Sequence, residues 1–304
     1  MHKPKQVLKI ENTISKLQQR AICFFNETSH TTFIDEVDWI RPKGGGGKSI
    51  TIINNHIEKA ACNFSSITDT KLPNSSLAAD DFKHQEGRFY ATGLSIISHP
   101  VNPKAPTSHL NVRFFTLFDN QNNLNRYWCG GGYDLTPFIP YVSDTKLWHR
   151  NAKKCLDQHN KTFYRKFAKN CDEYFYLPHR SEKRGIGGIF FDSIQMKNID
   201  KCLELLTSVV ESYIFSYKKI FLKRFSLPYT EDEKLFQEYR RSRYVEFNLL
   251  HDRGTKFGIE SGGRSDSILA SLPPTVLWPP FKDKNLLLQE KKLLNHINRD
   301  WIIK

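Results

Sequence analysis

Read as an extended strand, the segment His109–Phe118 sorts its side chains into two chemistries. Side chains alternate between the faces of a strand. His109, Asn111 and Arg113 therefore share one face, and Leu110, Val112, Phe114 and Thr116 the other. An acid–base group, an amide and a guanidinium in line, backed by an apolar face, can form one wall of a site. Arginine grips a carboxylate through two parallel hydrogen bonds. By the same rule Ser95, Ile97 and His99 share a face of the preceding strand. An ordinary solvated sheet face fits this pattern equally well.

Other motifs supply further candidates. In CGGGYDLTPFIPY, Cys129–Tyr141, three glycines end a strand ahead of Asp134 and two prolines, which describes a rigid turn. Asp134 is either a structural turn acid or an acceptor for substrate N–H groups. The SGGRSDS stretch, Ser261–Ser267, sets the amides of Gly262 and Gly263 beside Arg264, an arrangement that can cradle an anion. In RYVEFNLLHDRGTKFG, Arg243–Gly258, strand alternation puts Tyr244, Glu246, Asn248, Leu250 and Asp252 on one side, as a buried polar network or a subunit contact. The GGGGKS run at Gly44–Ser49 is not a phosphate loop, because the position five before Gly47 is Pro42. It reads as a mobile loop over a site or a plain surface loop. None of the eleven histidines form the i, i+4 pair of a helical metal site.

These residues need a scaffold. Val7, Ile10, Ile14, Leu17, Ala21 and Phe24 form one apolar stripe on an N-terminal helix. Arg41–Lys48 reads as a loop, and Asn63–Gly87 as polar and turn-rich. Strand-like runs follow at Phe89–Ser98, Asn111–Asp119, Arg126–Tyr133, Ile186–Asp192 and Arg243–Leu250. Helical periodicity marks Trp148–Tyr174, Ile199–Phe225 and Asn285–Ile302. Strands and helices do not alternate regularly, which disfavours a doubly wound parallel sheet. The expected fold is α+β: a single domain over residues 1–304, with a large, mostly antiparallel sheet covered by helices.

Composition limits the function classes. With 39% hydrophobic and 25% charged residues in 304, the chain is globular and long enough to bury a core without staples. The six cysteines are scattered with no C-x-x-C pair, as expected for reduced thiols in a cytoplasmic protein. Neither a secretory signal nor a membrane-spanning apolar run is expected. The formal charge of +13 favours an anionic partner. No basic run of the kind that tracks nucleic acid occurs, and an alternative reading, nucleotide bias in the gene, would account for much of the excess.

Four strings carry a family resemblance: GLSIISHPVNPKAPTSHLNVRFF, YWCGGGYDLTPFIPY, CDEYFYLPHRSEKRGIGGIFFD and RYVEFNLLHDRGTKFGIESGGRSDSILASLPP. Their order and spacing resemble the oxygen-dependent coproporphyrinogen III oxidases, from about Trp39 to Trp278. The resemblance implies a sheet with helices on both faces and a homodimer joined through Tyr244–Pro279. It implies conversion of coproporphyrinogen III to protoporphyrinogen IX by O2, with release of CO2 and hydrogen peroxide and no organic cofactor. Ser95, Asn111, Arg113, Gly262, Gly263 and Arg264 match substrate-binding positions. His109 matches the proton donor, and Asp134 and Asp252 match acids of the site. A divalent metal, manganese, is implied at His99, His109, His149 and His179. A ring nitrogen cannot ligate a metal and donate a proton at once, so His109 cannot do both through one atom. Two positions depart from the pattern: His251, where an aromatic residue is usual, and Ser261, where threonine is common. His251 adjoins Asp252 and puts that acid's protonation in question. Two other classes remain open at this point, a basic RNA-binding protein and a porphyrin-binding homologue without catalysis. Four propionates make the substrate a tetra-anion, which suits a basic chain; Arg113 and Arg264 are the natural clamps.

Overall fold

The computed structural model describes residues 3–29, 31–70, 87–260, 262 and 264–303. Helix α1, Lys5–Asn26, buries the whole apolar stripe read from the sequence. Strands β1 (Thr32–Ile40), β2 (Gly45–Asn54), β3 (Ile57–Asp69), β4 (Arg88–Pro100), β5 (Thr107–Phe118) and β6 (Leu124–Thr136) then run back and forth. Next come α2 (Val142–Leu156), α3 (Phe163–Tyr174), the two-residue strands β7 (Tyr176–Leu177) and β8 (Glu182–Lys183), and β9 (Gly188–Ile194). Helices α4 (Ile199–Arg224), α5 (Glu231–Leu250), α6 (Arg253–Glu260), α7 (Ser265–Ile268) and α8 (Lys284–Ile297) complete the order. One antiparallel sheet runs β1-β2-β3-β4-β5-β6-β9.

The sheet has two different faces. Leu94 and Ile96 of β4, Leu110, Val112 and Phe114 of β5, and Tyr133 and Leu135 of β6 join α1, α2, α3 and α4 in the main core. Each fully buried side chain of this kind contributes roughly 1.5–3 kcal/mol. The opposite face carries two small apolar clusters: Phe115 and Trp128 meet Phe257 of α6, and Ala61 and Ile97 meet Tyr244 of α5. Between those clusters the polar residues of β5 stand under α5 and α6.

Four readings are corrected. Arg243–Leu250 is not a strand but the last turns of α5. Every residue of α5 from Tyr239 to Asn248 is buried, so no solvated face interrupts the apolar pattern and a helical period cannot be read. A capping box starts this helix: the Thr230 hydroxyl accepts from the Glu233 amide while Glu233 reaches back to the Thr230 amide. The Arg41–Lys48 loop shrinks to a tight turn, closed by Gly44 N–H to Arg41 O and Arg41 N–H to Gly45 O. Gly45–Lys48 already belong to β2, and Gly47 leaves room for the Trp39 indole, whose atoms lie 2.5 Å from where a Cβ would sit. Asn63–Asp69 belong to β3, and positions 71–86 lie outside the described residues. The helical segment Trp148–Tyr174 is divided into α2 and α3.

Removing the α5 cap by Thr230→Ala is expected to lower stability by about 0.5–2 kcal/mol. A urea titration checks this: the midpoint falls while the slope stays constant.

Candidate active site

A cavity of about 260 Å³ opens between the polar face of the sheet and the α5–α7 cover. Its floor is set by register. Arg113 pairs with Gly93 on one side and Gly130 on the other, Asn111 with Ser95 and Gly132, and His109 with Ile97 and Asp134. Arg113 and Asn111 thus stand beside glycines and a serine. Trp39, Phe115, Trp128, Phe190 and Phe257 supply apolar walls.

His109 directs Nδ1 at Asp134, 3.1 Å from Oδ1. Asp134 is buried and is gripped from behind by Arg184, with Nη2 donating to Oδ1 at 2.7 Å and Nε to Oδ2 at 3.3 Å. Burial pushes the Asp134 carboxyl up, but the Arg184 charge and the His109 bond overcome it and hold the carboxyl below its ordinary value. Asp252 sits across the cavity. Tyr174 donates its hydroxyl to Oδ1 at 2.8 Å, and the amide and hydroxyl of Thr255 donate to Oδ2 at 2.8 and 2.9 Å. Burial again acts upward; the Thr255 amide, the Tyr174 hydroxyl and the facing His109 outweigh it, so Asp252 stays ionised. His251 does not take part in this balance: its Nε2 turns to His179 Nδ1, 3.1 Å away.

Arg113 is not a free clamp. Its Nη2 donates to Asp192 Oδ2 at 2.5 Å, and Arg253 reaches the same oxygen at 3.8 Å while lying over the Tyr174 ring. The pair fits because residue 130 is glycine: a Cβ there would stand 2.8 Å from Asp192 Oδ1 and 3.2 Å from Arg113 Nε. Arg264 also lines the cavity and pairs with the exposed Asp266 at 3.0 Å. Three guanidiniums against the carboxylates of Asp192 and Asp252 leave the lining net positive.

The structure therefore brings Ser95, His109, Asn111, Arg113, Asp252 and Arg264 to one cavity, with Asp134 directly behind His109. Gly262 lies in the turn after α6 at φ +70°, and Gly263 and Ser261 lie outside the described residues. The sequence reading missed Asp192, Arg253, Arg184 and Tyr174. Asp192 was within reach: Gly188, Phe190 and Asp192 share one face of β9 by alternation. Arg253 adjoins Asp252 in the sequence. Arg184 and Tyr174 follow no periodicity.

The four histidines matched to a metal do not converge. His99 is buried, with Nε2 at 2.9 Å from the Ser271 carbonyl and Nδ1 at 3.3 Å from the Thr107 hydroxyl. His149 is a buried residue of α2, with Nε2 at 2.9 Å from the Ile186 carbonyl and Nδ1 at 3.1 Å from the Tyr164 hydroxyl. A ring nitrogen facing a carbonyl must carry its proton and cannot ligate. His179 contacts Glu246 and His251. Among the described residues no group of three or more His, Cys, Asp or Glu side chains is placed to hold an ion. This donor set does not fit a bound metal.

The family model described as coproporphyrinogen III oxidase matches residues 9–301. The chain belongs to that family. Among its relatives, the oxygen-dependent coproporphyrinogen-III oxidase of Francisella tularensis subsp. mediasiatica (strain FSC147) is 42% identical over 98% of this chain and 99% of the relative. That of Francisella tularensis subsp. holarctica (strain OSU18) is 43% identical over the same shares. The oxygen-dependent coproporphyrinogen-III oxidase of Coxiella burnetii (strain RSA 493 / Nine Mile phase I) is 41% identical over 95% of this chain and 94% of the relative. Among the described residues of this coproporphyrinogen oxidase family member, no helix is long and apolar enough to cross a membrane.

Two outcomes are expected. Gly130→Ala should force the Arg113–Asp192 pair apart and lower kcat/KM at least tenfold, with little change in melting temperature. Asp252→Ala should destabilise the protein at neutral pH. Because the folded Asp252 titrates below its ordinary value, that stabilisation is present above the unfolded pKa of about 4 and is lost as pH falls through the folded one. Wild type and variant should therefore converge in melting temperature as the pH is lowered.

Proposed function

We infer that this chain catalyses the oxygen-dependent oxidative decarboxylation of two propionates of coproporphyrinogen III, in haem synthesis, and that the Arg113-lined cavity is where it does so. The carrying observation is that His109, Asn111 and Arg113 stand side by side on one sheet face in a cavity that Arg253 and Arg264 also line. The balance is simple. Each propionate, as a carboxylate, becomes a vinyl group by losing carbon dioxide, two electrons and one proton, and O2 takes up the electrons, that proton and a second one supplied from the medium to leave as hydrogen peroxide.

Each residue has work in that balance. Arg113 and Arg264 hold substrate carboxylates, with Asn111, Ser95 and the glycines at 262 and 263 completing the grip. Asp252, ionised and facing the cavity, accepts from the pyrrole N–H groups and favours the positive charge that develops on the ring as its electrons leave. His109 delivers a proton through Nε2 to the reduced oxygen, a step typically worth about 10²–10⁴-fold. The apolar walls lower the polarity around these fixed charges, whose positions the fold sets in advance. No step runs through a metal, and exhaustive chelation is expected to leave turnover unchanged.

A homodimer through Tyr244–Pro279 is supported by exposed apolar residues in that stretch: Leu249, Leu250, Ile259 and Trp278. The residues that precede them, Tyr244 to Asn248, are buried within the chain itself. A cytoplasmic setting suits the free cysteines.

Incubating the protein with coproporphyrinogen in air should consume O2 and yield protoporphyrin fluorescence after oxidation; binding without oxygen uptake would reduce it to a carrier. Arg113→Ala removes one charge-assisted bond worth roughly 1.5–3 kcal/mol. It should lower kcat/KM by about 10- to 150-fold, and unchanged kinetics would remove Arg113 from the site.

A further inference from the structure

Arg184 reaches none of the cavity surface, yet its donors are committed to groups that do or that touch one. Its side chain is 1% exposed. It follows the short strand β8, and its amide donates to the Phe175 carbonyl at 2.9 Å. The guanidinium carbon lies 4.1 Å from the ring centre of Phe175, 4.5 Å from that of Tyr244 and 4.7 Å from that of Phe247. This aromatic cage offers cation–π attraction in place of water and leaves the planar group one orientation. In that orientation Nη2 and Nε fork onto the two oxygens of Asp134, and Nη1 donates to Asn248 Oδ1 at 3.3 Å.

Two consequences follow from donor and acceptor chemistry. An ionised carboxylate only accepts, so His109 Nδ1, facing Asp134 Oδ1, must carry its hydrogen. The other ring nitrogen, Nε2, is then the one that takes up and delivers a proton in the cavity. Arginine only donates, so Asn248 must turn its oxygen to Arg184 and its NH2 group away. That nitrogen is buried with no hydrogen bond of ordinary geometry, in a residue that lines the cavity. Asp134, buried and not part of the cavity lining, is poorly placed to serve as an acceptor for substrate N–H groups; that role is left to Asp252, which lines the cavity.

We propose that Arg184 is a positioning residue for the oxidative decarboxylation, acting through Asp134 to fix the Nδ1–H tautomer and ring orientation of His109. This rests on the reading of His109 as the proton donor. Arg184 touches neither substrate nor oxygen. Without its fork, Asp134 can rotate about its own side-chain bonds, and the imidazole loses the partner that selects its tautomer.

The single change Arg184→Met would leave Asp134 as a lone buried charge, which unfolds proteins for reasons unrelated to catalysis. The test therefore uses the neutral pair Arg184→Met/Asp134→Asn beside Arg184→Lys, which keeps the charge but not the fork. Histidine ring ¹⁵N shifts of the resting enzyme report the His109 tautomer; kcat and KM are measured on coproporphyrinogen. For the neutral pair the expected result is a folded protein whose KM moves less than about threefold and whose kcat falls about 100-fold or more, with His109 no longer held as Nδ1–H. Arg184→Lys should fall between wild type and the pair on both measures. Wild-type kcat or an unchanged His109 signal in either folded variant overturns the proposal. A rise in KM at constant kcat also overturns it, because Arg184 would then only shape the pocket. Full turnover in His109→Gln would remove the proton-donor reading beneath it, and that outcome is distinct from the failures of Arg184 alone.

Discussion

The site depends on one constraint, the pairing register of β5 with its two neighbours. Along this strand the apolar residues Leu110, Val112 and Phe114 fill the α1–α4 core while His109, Asn111 and Arg113 face the cavity. A slip of one residue would exchange the two sets and bury a guanidinium, an amide and an imidazole in hydrocarbon. The core thus holds the chemistry in place. The same register brings Asp134 level with His109, and Gly130 level with Arg113 so that Asp192 can lean in from β9.

The cover over this face has a different physical character. Helix α5 buries four arginines, Arg240, Arg241, Arg243 and, beyond it, Arg184, all paired with carboxylates or carbonyls. Glu246 is typical of the arrangement. Burial pushes its carboxyl up, but bonds from Arg180, Trp278 and His179 and the charge of Arg243 bring it down to about 2. Ion pairs this deep add little net stability, since desolvation offsets much of their attraction, but breaking one is costly. They therefore determine where α5 sits more than how strongly it is held, and α5 carries Asn248 and leads into Asp252.

How much of this could be read beforehand follows from these two environments. Strands with one apolar and one polar face announce themselves by alternation, which is why β4, β5, β6 and β9, and the shared face of His109, Asn111 and Arg113, were legible. The strands β1 to β3 were not: acidic residues interrupt the apolar ones of β1, glycine, serine, threonine and lysine occupy much of β2 and β3, and the turn at Gly44 masks where β2 begins. Helix α5 misled for the opposite reason: buried nearly all round, it has no period. The roles of Asp134 and Arg184 needed coordinates, since which carboxylate oxygens are already spoken for is a three-dimensional fact. The matched strings covered the right histidines but could not tell a ring held by carbonyls from one free to ligate.

The glycines of the cavity floor differ in why they are there. At Gly132 an added Cβ would fall 2.1 Å from the Ile189 carbonyl oxygen, so backbone packing alone forbids any other residue. Gly93, beside Arg113, is different: its nearest neighbours would be the Val112 oxygen at 3.2 Å, Arg113 Cβ at 3.8 Å and Ser65 Oγ at 3.9 Å, and its φ is not positive. The folded chain has room there for a methyl group after a small adjustment. That room opens onto the cavity, so at position 93 a side chain can narrow the space without disturbing the backbone around it.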